Sequence, residues 1–560
     1  MRKISKLLTV ALCFIIMTSM LLTSCGLLGG LLGGDKTEES ATESTADSDI
    51  ASGEKETKPS VESEKETTSS DDESEEEPSD ESEEFSDEDL PESEDIEETE
   101  EETEETIAEL DVVDLKGREF KMLWPEYISQ EGHFRYSELG IADGAEVSRG
   151  DVIETVIYKR NRSVEMAYNA TVVVTTMRYR DVTETVRGEY PSGMTSYDVI
   201  ASMNSKMSTL AIEGMLADFN DLEYYDEDQQ WWNHDLMQAL SIVNKRYFGL
   251  GDIIYSDDLY PYVVYVNTSL AETVGIEEDF YDMVNEKEWT LEKFNQLAKL
   301  AVADNDNDGM AASSMDDIFG AVDGASFARA LYYSAGRGVI SFDDMGYPVW
   351  QMTEEYGHSV LSKISDMWHS GNAVVDVAQF NNGKTVDAMK IIDMFNSNQM
   401  LFMPGDLKAA QAFTSLDNAL DDFALLPIPL WESDSEYICI MNEATVISIP
   451  VVAQDQDEIC LILSALGRES MDTLTPAFFD MVLTDRYMKN AASVKTLKLI
   501  LSSIVPRDIA DIQGWGGFMS QFCKLVIENN TNFSSYYQEN ITIARTEMDN
   551  YITELEKLDK

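Results

Sequence analysis

Apolar and polar positions divide the chain into three stretches of different physical character. Leu7 to Leu22 is an almost unbroken apolar run, and from Asp35 to Leu110 apolar residues nearly vanish. Beyond Leu110 they return with two alternating periods. Asp151 opens a run in which Ile153, Ile157, Val164 and Tyr168 recur at helical spacing. Thr171-Val172-Val173-Val174 reads as a β-branched strand. Tyr197-Asp198-Val199-Ile200 reads as another, leading into the small polar turn Ser202-Met203-Asn204-Ser205. Further strands are expected at Tyr262–Val266, Phe423–Leu426 and Thr445–Ile449. The last two are stopped by Pro427 and Pro450, which cannot continue a central ladder. Strands alternating with helices predict an α/β fold with parallel-rich sheets. About 450 residues is too long for one ordinary core and predicts two lobes, with a ligand cleft between them at the carboxyl ends of the strands.

The start of the chain carries a different signal. Arg2, Lys3 and Lys6 precede the apolar run, and Leu22-Thr23-Ser24-Cys25-Gly26 closes it. This is the layout of a secretory signal whose cleavage site ends in cysteine. It resembles the bacterial lipobox, which implies cleavage after residue 24, lipidation of Cys25 and retention on the outer face of the cell membrane. An uncleaved membrane helix is the alternative, for which the run is short, since about 20 residues are needed to span the hydrocarbon.

Charge then changes the picture of residues 25–110. Asp35 to Leu110 holds 35 Asp and Glu against 4 Lys, a net charge of −31, with Ser and Thr filling most of the remainder. Such a segment cannot bury enough apolar area to offset the entropy of ordering, so a disordered acidic linker is expected. It would hold the domain 111–560 clear of the surface. An acidic arm that binds cations or a partner is the sharper alternative. The whole chain carries −67, so −36 remains on the rest. An acidic folded part argues against nucleic acid, whose binding requires a basic surface, and against docking on anionic lipid. Cys439, Cys460 and Cys523 are odd in number and widely spaced, so no disulfide framework is expected and buried thiols are.

No catalytic motif emerges. His133, His234, His358 and His369 fall outside any HExxH, and no Walker loop or GxGxxG follows a strand. Gly324-Ala325-Ser326-Phe327-Ala328 lacks the final glycine of a nucleophile elbow. Carboxylates are so abundant that some pair lies at glycosidase spacing by chance, so counting does not separate a binder from a hydrolase. The missing motifs favour a non-enzyme with no redox cofactor.

Several ordered segments carry a resemblance. They are Val156-Ile157-Tyr158-Lys159-Arg160-Asn161, Tyr197-Asp198-Val199, Trp231-Trp232-Asn233, Val266-Asn267, Glu288-Trp289-Thr290, Asp304 to Gly309 with Gly320 downstream, Phe395 to Phe402, and Leu426-Pro427-Ile428-Pro429. In this order the chain resembles the carbohydrate-associated extracellular solute-binding lipoproteins of bacterial ABC importers. The resemblance implies a two-lobe, periplasmic-binding-protein-like (type II) fold with a hinge. It further implies capture of a solute, foremost an oligosaccharide, and delivery to permease subunits by a monomer. Lobe 1 is expected at approximately 111–260 plus part of 390–435, with the remainder forming lobe 2. A surface carbohydrate-active enzyme and a sensor or adhesin are the rival functions.

Sugars present apolar C–H faces and many hydroxyls, which call for aromatic planes beside Asp, Asn and similar groups. Trp231 and Trp232 with Asn204, Asp252, Asp257, Trp289 and Trp431 are the candidate ligand contacts, with burial in the core as the bland alternative for each tryptophan. Asp304, Asp306 and Asp308 with Gly309 match the first half of a calcium loop, in which oxygens at alternate positions wrap a hard cation. The twelfth position is Met315, with Asp316 and Asp317 just beyond, so the register is off. An Asp/Asn-rich surface turn is the alternative.

Overall fold

The computed structural model describes residues 109–126, 138–140, 152–241, 243–255, 257–376, 378, 388–409, 423–479 and 490–558. The signal segment, Cys25 and nearly all of the acidic linker lie outside the described residues.

Apart from a short hairpin of Ile340–Phe342 and Pro348–Trp350, the strands in chain order are β1 (Arg118–Glu126), β2 (Ala170–Arg178), β3 (Val199–Met203), β4 (Tyr262–Val266), β5 (Phe319–Val322), β6 (Val374–Val375), β7 (Met400–Asp406), β8 (Ala424–Leu426), β9 (Cys439–Met441), β10 (Thr445–Ser448) and β11 (Ile504–Pro506). The helices that position the site are α1 (Val152–Tyr168), α2 (Asn204–Ile212), α3 (Leu291–Ala301), α4 (Ala325–Ser334), α5 (Glu354–His369) and α6 (Gln456–Asp472).

Among the described residues two larger sheets form, the first with the order β10-β3-β1-β2 and the second β8-β4-β7-β5-β6, beside two two-stranded sheets, β9 with β11 and Ile340–Phe342 with Pro348–Trp350. In the first, β1 runs parallel to β2 and β3, and β10 closes it antiparallel. In the second, β5 is parallel to β6 and β7, while β4 runs antiparallel to β7 and β8. Within 390–435, where part of the first lobe is expected, β7 and β8 both pair inside the second sheet. The chain rejoins the first sheet at β10, where Thr445 pairs with Met203. Just before that, Met441 bridges Pro261, so the outgoing and returning connections run side by side.

Burial explains why these residues form these elements. All five residues of β4 are buried, a near-continuous β-branched and aromatic run suited to a strand covered on both faces. Thr290 caps α3 by accepting from Lys293 N at 3.2 Å, and α3 buries Leu291, Phe294, Leu297 and Ala298. Backbone approaches are close where α3 meets β5. A Cβ at Gly320 would lie 2.5 Å from Ala298 O and 2.6 Å from Ala373 O, so only glycine fits. Cys439, Cys460 and Cys523 are free and buried, as expected, and burial pushes their thiols up to about 11, 12 and 11.

Candidate functional site

The indoles expected to carry the ligand are core residues in three of four cases. Trp231 is 0 % exposed, and its ring lies where a Cβ on Gly467 of α6 would be 2.8 Å from it. Trp232 is 3 % exposed, with its ring edge-on to Phe219 and its Nε1 donating to Gln229 Oε1 at 3.1 Å. Trp289 is 0 % exposed, packs on Phe294 and Phe402, and donates from Nε1 to Pro427 O at 2.9 Å. Periodicity cannot separate a core indole from a platform, and the large apolar payload of tryptophan decided for the core. Trp431 is half-buried, with Lys363 Nζ 4.2 Å above its ring.

Asp252 and Asp257 lie on the segment leading to β4. Gly251 there has φ +136° and faces Trp231 O so closely that a Cβ would reach 2.3 Å. Asp252 accepts from Thr475 Oγ1 at 2.6 Å, and burial pushes its carboxyl up to about 6. With Trp231, Trp232, Asp258 and Thr475 it lines a cavity of about 220 Å³, so three of the expected ligand residues do meet there. Asp257 opens a short turn, Asp257–Leu259.

Asn204 belongs to a larger convergence. It sits where β3 passes into α2, and its backbone N donates to Ala444 O at 2.9 Å. Its Oδ1 accepts from Ser205 N at 2.8 Å, while Nδ2 is buried without a partner. Beside it stands Glu443, in the loop that enters β10. Burial raises the Glu443 carboxyl, offset in part by Arg507 and by the Ser205 hydroxyl and N–H.

From the second sheet, three carboxylates project just past or at strand carboxyl ends. Asp323 follows β5, Asp376 follows β6 and Asp406 ends β7. The registers Val322↔Val375 and Tyr262↔Asp406 bring them to one edge. Tyr262 OH and Gly324 N–H donate to Asp323, and Ala378 N donates to Asp376 Oδ1 at 2.9 Å. Asn442 Nδ2 reaches Asp406 Oδ1 at 3.5 Å, and Asn442 Oδ1 is buried without a partner. Burial pushes Asp323 up to about 7, aided by Asp376, and pushes Asp406 up to about 7, aided by Asp323 and Glu443. Burial likewise raises Asp376. Sequence reading missed Asp323, Asp376, Asp406, Asn442 and Glu443. The available signal was their place at the mouth of apolar strands, where α/β sheets bind ligands.

Cations stand nearby but are already engaged. Arg329 of α4 and Arg507 both grip Asp511, at 3.0 and 2.9 Å. Burial opposes ionisation of Asp511, but the two guanidiniums outweigh it and hold its carboxyl low. Arg507 also stands 3.5 Å from Glu443 and donates to Asn442 O at 3.2 Å.

The calcium-like loop has a different membership from the one expected. Oxygens of Asp304, Asp306 and Asp317 lie within 4.8 Å of one another. Asp308 does not join them; its oxygens accept from Met310 N at 2.8 Å and Ser313 Oγ at 3.1 Å. The chain returns to the cluster through Asp317, which is buried and accepts from Asn305 N, Ser313 N and Ser314 N. Asp304 Oδ1 is a buried atom without a partner. Three convergent carboxylates with an unused oxygen fit a hard cation.

No protein-family model matches the chain, and no curated protein matches it either. Solved structures do. An extracellular solute-binding protein from Staphylococcus aureus, in complex with maltose, superposes with a TM-score of 0.52 at 12% identity, over 78% of this chain and 98% of that one. A maltose-binding periplasmic protein from Listeria monocytogenes, in complex with maltose, gives 0.50 at 12%, over 77% and 98%. A sugar transporter protein from Rhizobium etli, in an open conformation, gives 0.52 at 10%, over 76% and 99%. The chain therefore has the two-lobe α/β fold of periplasmic sugar-binding proteins.

Proposed function

We propose that this protein is the cell-surface solute-binding component of an ABC importer, capturing an oligosaccharide between its lobes and handing it to permease subunits. The observation that carries this reading is the contact of Asn442 Nδ2 with Asp406 Oδ1 at 3.5 Å, with Glu443 and Asp323 acting on Asp406 and Asp376 on Asp323, while Asn204 Nδ2 and Asn442 Oδ1 are buried and unpartnered. Buried amides without partners cost free energy that ligand hydroxyls would recover. Lobe closure brings such groups onto a solute without making or breaking a bond. The neighbours whose structures contain maltose support a sugar as the solute class. Cys25 would carry the lipid, and the acidic linker would space the domain from the membrane. Two acyl chains suffice for stable anchoring where one does not.

The test is X-ray scattering and calorimetry across a panel of oligosaccharides. A sugar that contracts the scattering radius, binds stoichiometrically and is recovered unchanged supports the reading. Conversion to shorter sugars would instead assign a surface hydrolase. Binding without any transport defect in a strain lacking the protein would assign a sensor or adhesin.

A second reading concerns metal. The unpartnered Asp304 Oδ1 among Asp306 and Asp317 favours a structural calcium ion that pins the loop between α3 and β5.

A further inference from the structure

The lobe-facing site is unbalanced in charge. Asp323, Asp376 and Asp406 lie at one sheet edge, and among the described residues none has a Lys or Arg nitrogen within 4.0 Å. The two nearby guanidiniums are spent on Asp511 and Glu443. Lys408 attracts Asp406 only from beyond ion-pair distance, and its ammonium sits 5.2 Å above the Tyr260 ring. The hydrogen bonds these three carboxylates accept come from one phenol, one side-chain amide and two backbone N–H groups, all neutral.

A second observation is independent of the carboxylates. Asn442 is 9 % exposed, its Nδ2 touches Asp406, and its Oδ1 is buried with no partner, so a further acceptor of the side chain beside Asp406 lacks a donor. A buried carboxylate group needs a counter-charge or a proton. A bare metal ion is a poor answer here. Among the described residues the carboxylates whose oxygens converge closely enough for a metal are Asp304, Asp306 and Asp317, not these three. Spread acceptors suit a larger body that carries its charge on one corner and hydroxyls elsewhere.

We propose that the solute of this site is an aminated sugar, whose protonated amine sits against Asp323, Asp376 and Asp406 while its hydroxyls meet Asn204, Asn442 and Glu443. An ammonium brings three N–H donors and one positive charge to a site rich in acceptors. A neutral sugar brings the donors without the charge. This inference rests on the proposed solute-binding function, and the two can fail separately.

Three series with one backbone and linkage decide it. β-1,4-linked dimers to tetramers of glucosamine, N-acetylglucosamine and glucose differ only in bearing an amine, an acetamide or a hydroxyl at carbon 2. Calorimetry uses the mature chain from pH ~6 to pH ~8, so that the glucosamine amine is protonated at the lower end and Asp323 and Asp406, raised by burial to about 7, are ionised at the upper end. The glucosamine series is expected to bind about tenfold tighter or more than both others. Asp323→Asn and Asp406→Asn, which keep the side-chain shape, are expected to abolish that preference. Equal or tighter binding of the glucose or acetamide series overturns the amine inference and leaves the sugar-binding function standing. A preference for glucosamine that survives in both folded variants overturns the assignment to these carboxylates. Should either variant fail to fold, the ranking of the three series on the parent chain still decides the ligand class. No binding by any series overturns the inference and counts against the carbohydrate function as well.

Discussion

Asn442 Nδ2 meets Asp406 Oδ1 at 3.5 Å, joining the segment that re-enters the first sheet to the carboxyl end of a central strand of the second. The contact stands beside the paired connections Pro261 and Met441, where relative movement of the lobes would pivot. Its acceptor is a carboxyl whose proton affinity is raised first by burial, with the nearby Asp323 and Glu443 adding to the effect.

That gives a prediction for pH. Asp323 and Asp406 are both pushed up to about 7 by burial, against about 3.9 for an unfolded aspartate. Between those values the folded chain holds protons that the unfolded chain releases, so stability falls as pH rises through this window. Each tenfold gain in proton affinity on folding corresponds to about 1.4 kcal/mol. The ligand-free protein should therefore melt higher near pH ~5.5 than near pH ~8, and Asp406→Asn should flatten the difference. Parallel profiles for parent and variant would show that Asp406 ionises normally.

The tryptophans predict in the opposite direction from a sugar platform. Trp231→Ala and Trp289→Ala should each cost about 3–5 kcal/mol of stability, as removal of a core aromatic does. Sugar affinity of the surviving folded fraction should stay near that of the parent. Chemical denaturation with calorimetry on the same samples checks both quantities. A variant that keeps its stability and loses affinity would return that indole to the ligand site.

Calcium should raise the melting temperature, and Asp306→Ala should remove the increase. Binding to the native state alone adds about 2.7 kcal/mol at a hundredfold excess over Kd. Asp317→Ala is the less clean choice, because Asp317 also holds three backbone N–H groups and its loss should destabilise the loop in chelator too. Melting curves that coincide with and without chelator would argue for a turn held by hydrogen bonds alone.

Cys25→Ala should release the protein from the membrane fraction without changing its melting temperature, since the proposed lipid attaches only at that sulfur. Fractionation followed by a melt of the soluble variant measures both. Retention in the membrane after the substitution would point to an uncleaved apolar helix.

The linear order of residues determined what depends on local pattern. β4 lies at Tyr262–Val266 as read, because five consecutive large apolar residues have few alternatives to a strand buried on both faces. The α3 start is legible in Thr290 for the same local reason. β3 runs on through Ser202 and Met203, which read as a turn. Their burial, and the bond from Ser202 Oγ to Tyr179 O at 3.3 Å, come from packing against another segment. The site itself was decided by tertiary structure. Asp323, Asp376 and Asp406 are far apart along the chain and unremarked among 107 acidic residues. They become a group because parallel pairing of β5 with β6 and β7 brings three strand ends to one edge, and burial there alters their protonation. The same holds for Asp317, which displaces Asp308 from the metal-like cluster because the loop folds back through three backbone N–H donations. Periodicity records which residues avoid water, whereas only the fold decides which of the remaining charges must share a space without it.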